Sequence, residues 1–141
     1  MNGVVVDASV ALAWCFPDES SDSADAVLLA LEGKTMLVPA VWALEIAKAL
    51  LVGERSQRLR QPDISRFAIL LESLSPVQDA QPVAALVSYV LPLARQYGLS
   101  AYDAAYLELA MRRGAGLATL DGKLRRAARK AGVEIVHGQV S

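Results

Sequence analysis

Three β-branched residues stand in an unbroken run at Val4-Val5-Val6 and end on an aspartate, Asp7. A run that is continuous rather than alternating marks a strand buried on both faces, and such strands belong to parallel sheets covered by helices. Short apolar runs recur at Met36-Leu37-Val38, Leu117-Ala118-Thr119 and Val133 to Val136, with Val77-Gln78 as a further short strand. Helical segments lie between them. The expectation is an α/β fold around a central, mostly parallel sheet of short strands. The whole chain, 1–141, suits one domain and can bury a core without disulfides.

The helical segments carry their own punctuation. Ala8 to Trp14 is closed by Phe16-Pro17-Asp18, and Ser20-Ser21-Asp22 offers N-caps for a helix over Asp22 to Glu32 that Gly33 stops. Pro39 opens a helix running to about Val52 and ended by Gly53. Gln61-Pro62-Asp63 caps a helix over Ile64 to Ser73, and Pro82 opens another to Tyr97, which Pro92 should kink or interrupt. Ser100 starts a helix ending at Arg113-Gly114, and Asp121 caps one ending at Ala131-Gly132.

Several chemistries are excluded at once. Cys15 is the only cysteine, so no intrachain disulfide and no cysteine-held zinc can form, and it reads as a small buried hydrophobe. The single histidine, His137, has no Ser or Cys signature nearby and reads as a strand-end or surface residue. Gly116 to Lys123 is not a phosphate loop, because the glycine spacing is wrong and Leu124 stands where Ser or Thr is required. The N-terminus lacks a basic region ahead of its apolar run, and Glu45 and Lys48 interrupt Met36 to Val52. The expected protein is soluble and cytoplasmic, with no membrane partner.

Carboxylates are the informative class. Asp7 and Asp121 each follow an apolar strand directly, and ligands of open parallel sheets bind outside those strand ends. Glu45 and Asp103 stand on helices among apolar neighbours three and four residues away. An acid on an apolar face must find a partner, neutralise or bind a cation. Each has a local reading too: Asp7 and Asp121 as N-caps, Ser100 with Asp103 as a capping box, Glu45 paired with Lys48. Together they fit those readings less well, since Lys48 alone is at hand to balance four acids. Two charges 4 Å apart repel by about 4 kcal/mol at an effective dielectric of 20. All-oxygen ligation would select Mg²⁺ or Mn²⁺, the apparatus of phosphodiester hydrolysis. Ser9 and Thr119, each two residues from a strand-end Asp, could orient the carboxylates or cap the local turns.

Val-Val-Val-Asp-Ala-Ser from Val4 to Ser9, Glu45 after Val38-Pro39-Ala40, Leu-Ser-Ala-Tyr-Asp-Ala from Leu99 to Ala104, and Ala-Thr-Leu-Asp-Gly-Lys-Leu from Ala118 to Leu124 together resemble the PIN-domain family. The chain is most similar to its VapC-type branch, the ribonuclease toxins of bacterial type II toxin–antitoxin pairs. The resemblance covers essentially the whole chain. It implies a three-layer α/β/α domain and metal-dependent endonuclease activity on RNA. It also implies a homodimer, and a small cognate antitoxin protein that blocks the site. Carried over residue by residue, the acidic quartet is Asp7, Glu45, Asp103 and Asp121, with Ser9 and Thr119 as polar companions. Asp7 and Asp103 are the expected direct Mg²⁺ ligands, and Glu45 and Asp121 act through water or on a second ion. The proline-interrupted helix at Pro92 departs from the simplest pattern.

Two other readings compete. One is a catalytically silent PIN-like module that grips RNA or a protein. The other is a phosphoaspartyl enzyme using Asp7, against which Ser9 stands where a second Asp is required. Trp14, Trp42 and the tyrosines read as core or interface rather than as base-stacking platforms. The net charge of −1 at first argues against a nucleic-acid partner. That total hides a split: residues 1–45 hold seven acids and one base, residues 111–141 seven bases and two acids. Lys123, Arg125, Arg126, Arg129 and Lys130 share the helix after Asp121, either as a solvated face or, through Lys123, Arg125 and Arg126, as contacts to an RNA backbone. Near-neutrality does not exclude RNA.

Overall fold

The structure, a computed structural model, describes residues 3–137. β1 (Gly3–Val6) leads through α1 (Ala8–Cys15), a 3-10 turn (Pro17–Glu19) and α2 (Asp22–Ala30) to β2 (Thr35–Val38). α3 (Trp42–Arg55) and α4 (Gln61–Leu74) carry the chain outward to β3 (Val77–Gln78). α5 (Val83–Tyr97) and α6 (Ala101–Arg113) bring it back to β4 (Gly116–Ala118), and α7 (Gly122–Lys130) follows.

The sheet has the order β3-β2-β1-β4, and every pair is parallel. Right-handed crossovers running outward from β1 put α1 to α4 on one face, and the return run puts α5 and α6 on the other. Packing agrees, with α1 against α2, α3 and α4, and α6 against α5 and α7. The expected three-layer α/β/α architecture is present. Val4, Val5 and Val6 are fully buried between Met36, Leu37 and Val38 on one side and Leu117 and Ala118 on the other. Each buried valine contributes about 1.5–3 kcal/mol relative to exposure. From the neighbouring strands β1 and β4 the chain departs to opposite faces, which opens a crevice at their carboxyl ends. The last ladder bond there runs from the Asp7 amide to the Ala118 carbonyl, 2.9 Å.

Element ends follow the expected chemistry in most places. Ser21 Oγ accepts from the Ala24 amide, and Gly114 closes α6 with a φ of +60° that other residues adopt at a cost. Four expectations are corrected. Gly53 does not end α3, which continues to Arg55. It is a packing glycine: a Cβ there would lie 2.7 Å from the Phe16 ring and 2.9 Å from Leu59. Pro39 does not open α3 but sits in the preceding turn, its carbonyl accepting from the Trp42 amide. α5 is not interrupted at Pro92. Pro92 lies on the exposed side, as does Ser88 one turn back, so the carbonyl that loses its donor there reaches water. Val133 to Val136 is not a full strand; Ile135 alone bridges Leu117. β4 is three residues long, too short to pair further.

An ion network pins the sheet edge. Arg112 on α6 binds Glu108 on its own helix at 2.8 Å and Asp79, just past β3, at 2.5 Å. Arg113 reaches Asp79 at 3.2 Å, and the Asp79 amide donates to the Val38 carbonyl. Glu108 is 5% exposed and the Asp79 side chain 10%, so both carboxylates are buried under Arg112, whose own side chain is 30% exposed.

Candidate active site

Asp7 begins the site where β1 ends. It occupies the N-cap position of α1, yet its side chain makes no capping bond. Its Oδ2 instead accepts from Ser9 Oγ at 2.8 Å and from Thr119 Oγ1 at 2.6 Å. Both hydroxyls are themselves anchored: Ser9 Oγ accepts from the Leu120 amide and Thr119 Oγ1 from the Asp121 amide. Their protons are therefore committed to Asp7, and the loop after β4 is tied to the end of β1. Thr119 thus caps its own turn, while Ser9 caps the loop after β4 rather than the turn it stands in.

Asp121 is the N-cap of α7, accepting from the Lys123 amide at 3.2 Å. Ser100 caps α6 through the Asp103 amide, 3.1 Å. Among the described residues the reciprocal bond of a capping box is not made, and the Asp103 carboxylate lines the crevice instead. Glu45 stands in the first turn of α3, where the helix dipole favours an anion. It does not pair with Lys48, which is exposed. Its Oε1 accepts from the Tyr106 hydroxyl at 2.5 Å.

All four carboxylates line one cleft of about 760 Å³. Among the described residues none is paired with a cationic side chain. Their protonation registers that crowding. Burial, then the charges of Asp121, Asp7 and Glu45, push Asp103 up to about 6. Burial raises Asp7, against the lowering effect of its two hydroxyl bonds and the Ala8 amide. Burial also raises Glu45, against the Tyr106 bond, and the charge of Asp7 adds to the rise. An arrangement of hard oxygen donors that repel one another and lack a protein cation suits a divalent ion. Among the described residues no three of its acids are closed to direct ligand spacing. The donors converge on the cleft without surrounding a single point.

The three residues expected to meet an RNA backbone all stand on α7, the helix that Asp121 caps. Lys123 and Arg126 are exposed on α7, and Arg125 is folded inward, donating to the Thr119 carbonyl at 2.7 Å. None of them lines the cleft; Lys48 and Arg58 do. Arg58 is held by Asp18 and Glu19 at 2.9 and 2.6 Å and lies 4.5 Å from the centre of the Phe16 ring. His137 is exposed, as expected. The residue that sequence reasoning missed is Tyr106. Its position three residues past Asp103 on a buried helix face was visible, but its partner Glu45 lies 61 residues away in the chain.

Comparison with known proteins adds the following. A family model described as PIN domain matches residues 4–130. A protein named Ribonuclease VapC3, from Pyrobaculum aerophilum, is 34% identical over 122 residues, covering 86% of this chain and 91% of that one. Among solved structures, PAE2754 from Pyrobaculum aerophilum superposes with a TM-score of 0.67 at 25% identity, over 95% of this chain and 83% of its own. VapBC2 from Rickettsia felis, solved bound to a DNA fragment from its promoter, gives 0.68 at 14% identity, over 95% and 97%. FitAcB from Neisseria gonorrhoeae gives 0.57 at 18%, over 94% and 95%. The last two likenesses speak to fold alone.

Proposed function

The chain belongs to the PIN-domain family, and from that premise we propose that it is a divalent-metal-dependent endoribonuclease, the toxin of a toxin–antitoxin pair. The observation that carries this reading is the convergence of Asp7, Glu45, Asp103 and Asp121 on one cleft with no protein cation paired to any of them. The 34% identity to a protein named as a ribonuclease supports the substrate class. Asp7 and Asp103 would hold Mg²⁺ or Mn²⁺ directly, with Glu45 and Asp121 acting through water or at a second ion. Such an ion supplies Lewis acidity toward a phosphodiester and the water that attacks it.

The protein's own contribution is alignment. Ser9 and Thr119 fix the Asp7 carboxylate from behind, so that it faces the cleft in one orientation. Asp103 must be ionised to bind a cation, and proton and cation compete for it. With Asp103 pushed up to about 6, Mn²⁺ affinity measured by calorimetry is expected to weaken about tenfold per pH unit below pH ~6 and to level off above. A flat profile between pH 7 and 5 would contradict the assignment.

The proposed partners are single-stranded RNA, a small antitoxin protein and a second copy of the chain, with the cytoplasm as the place of action. Leu44 and Val52 are 73% and 50% exposed on α3 and line the same cleft, which gives an inhibitor protein apolar surface beside the carboxylates. Among the described residues no helix is long and apolar enough to cross a membrane. The test is cleavage of single-stranded RNA by the purified protein with Mg²⁺ or Mn²⁺. Chelation is expected to abolish cleavage and Mn²⁺ to restore it. Cleavage that persists in chelator sinks the metal-dependent reading.

A further inference from the structure

Tyr106 presents a question of economy. Its side chain is wholly buried, and a phenylalanine would fill the same space without a hydroxyl to desolvate. The hydroxyl has two contacts. It donates to Glu45 Oε1 at 2.5 Å, and the Ala8 amide approaches it at 3.4 Å. One oxygen atom thus joins α6, α3 and the start of α1, in contact with Glu45 and with the residue that follows Asp7. A phenol carries its proton at neutral pH, and Tyr106 is the donor to the Glu45 carboxylate.

Glu45 needs such an anchor. Its side chain has three rotatable bonds and stands one turn before Lys48, an exposed cation that lines the same cleft. Pairs at this spacing form readily on helices. In this structure the pair is not made, and the Tyr106 bond is what holds Glu45 turned inward.

We infer that Tyr106 is a positioning residue for the carboxylate centre: its hydroxyl commits one Glu45 oxygen and thereby presents the other to the cleft. This rests on the proposed metal site, and deepens it by naming the group that orients one of its donors. Asp103 and Tyr106 lie one turn apart on α6, so the same helix delivers one carboxylate and orients another.

The test compares the parent protein with Tyr106→Phe, Glu45→Gln and the double variant, reading Mn²⁺ affinity by calorimetry without RNA, then RNA cleavage. Tyr106→Phe is expected to melt cooperatively, to bind Mn²⁺ about 10–100-fold more weakly, and to lose kcat by a similar factor with little change in KM. In the Glu45→Gln background the same change is expected to cost less than about twofold, because the two residues act as one unit. Glu45→Asp keeps the charge but withdraws the carboxylate from the hydroxyl by one methylene. It is expected to reproduce the loss without touching the core. Mn²⁺ affinity of Tyr106→Phe within about threefold of the parent, or losses that multiply in the double variant, would overturn the inference. A parent that binds Mn²⁺ with this dependence but cleaves no RNA retracts the nuclease reading and leaves the inference standing. A parent that binds no Mn²⁺ overturns both.

Discussion

Asp7→Asn is expected to reduce RNA cleavage by on the order of a thousandfold, about 4 kcal/mol of transition-state stabilisation, while the protein stays folded. The fold survives because the asparagine carbonyl can take the place of Oδ2, accepting from Ser9 and Thr119 as the carboxylate does. The amide nitrogen then faces the cleft, where it can neither bind a cation nor carry charge. Stability points the other way from activity. Burial raises the Asp7 pKa in the fold, so its ionised form opposes folding, and the parent loses stability as pH rises above the ordinary carboxylate range. Asparagine has no such term. The metal-free variant should therefore melt at or above the parent at neutral pH, with the advantage fading in acid. Cleavage within tenfold of the parent would remove Asp7 from the centre of the mechanism.

The second large effect arises outside the cleft lining. Arg112→Ala leaves Glu108 and Asp79 with side chains only 7% and 10% exposed and their shared cation gone. Breaking a buried pair from one side costs about 3–5 kcal/mol, and in a chain of this size that lowers Tm by about 10 °C. Asp79 keeps Arg113, so the penalty falls mainly on Glu108. Arg112→Ala combined with Glu108→Leu is accordingly expected to recover most of the loss, since no unpaired buried charge is then left on α6. A fall of less than about 3 °C in the single variant would mean that water reaches Glu108.

The sheet was legible because each buried strand announces itself by a continuous apolar run. Asp7 and Asp121 were legible for the same reason, as the first charged residues after such runs. What escaped was whatever depended on residues far apart in the chain. Gly53 reads locally as a helix stop, and the Phe16 ring and Leu59 packed against it explain why a glycine stands inside α3. Val133 to Val136 has the composition of a strand, but β4 offers it too few residues to pair with. Lys48 is well placed to neutralise Glu45 by helical spacing, yet Glu45 bonds a tyrosine on another helix instead. Arg125 has the sign expected of an RNA contact, yet the carbonyl of Thr119 claims it.

Thr119 and Asp7, which share a hydrogen bond at the heart of the crevice, are separated by 112 positions of chain. The central pairing of β1 with β4 spans a comparable interval, closing the sheet across nearly the full length of the molecule. Contacts of such range form late in folding, after shorter ones have repaid part of the entropy of closure. During synthesis the consequence is one of order. A nascent chain cannot assemble the four-carboxylate cleft until Asp121 has emerged from the ribosome, so no stretch of chain that stops short of it holds the complete set of acids.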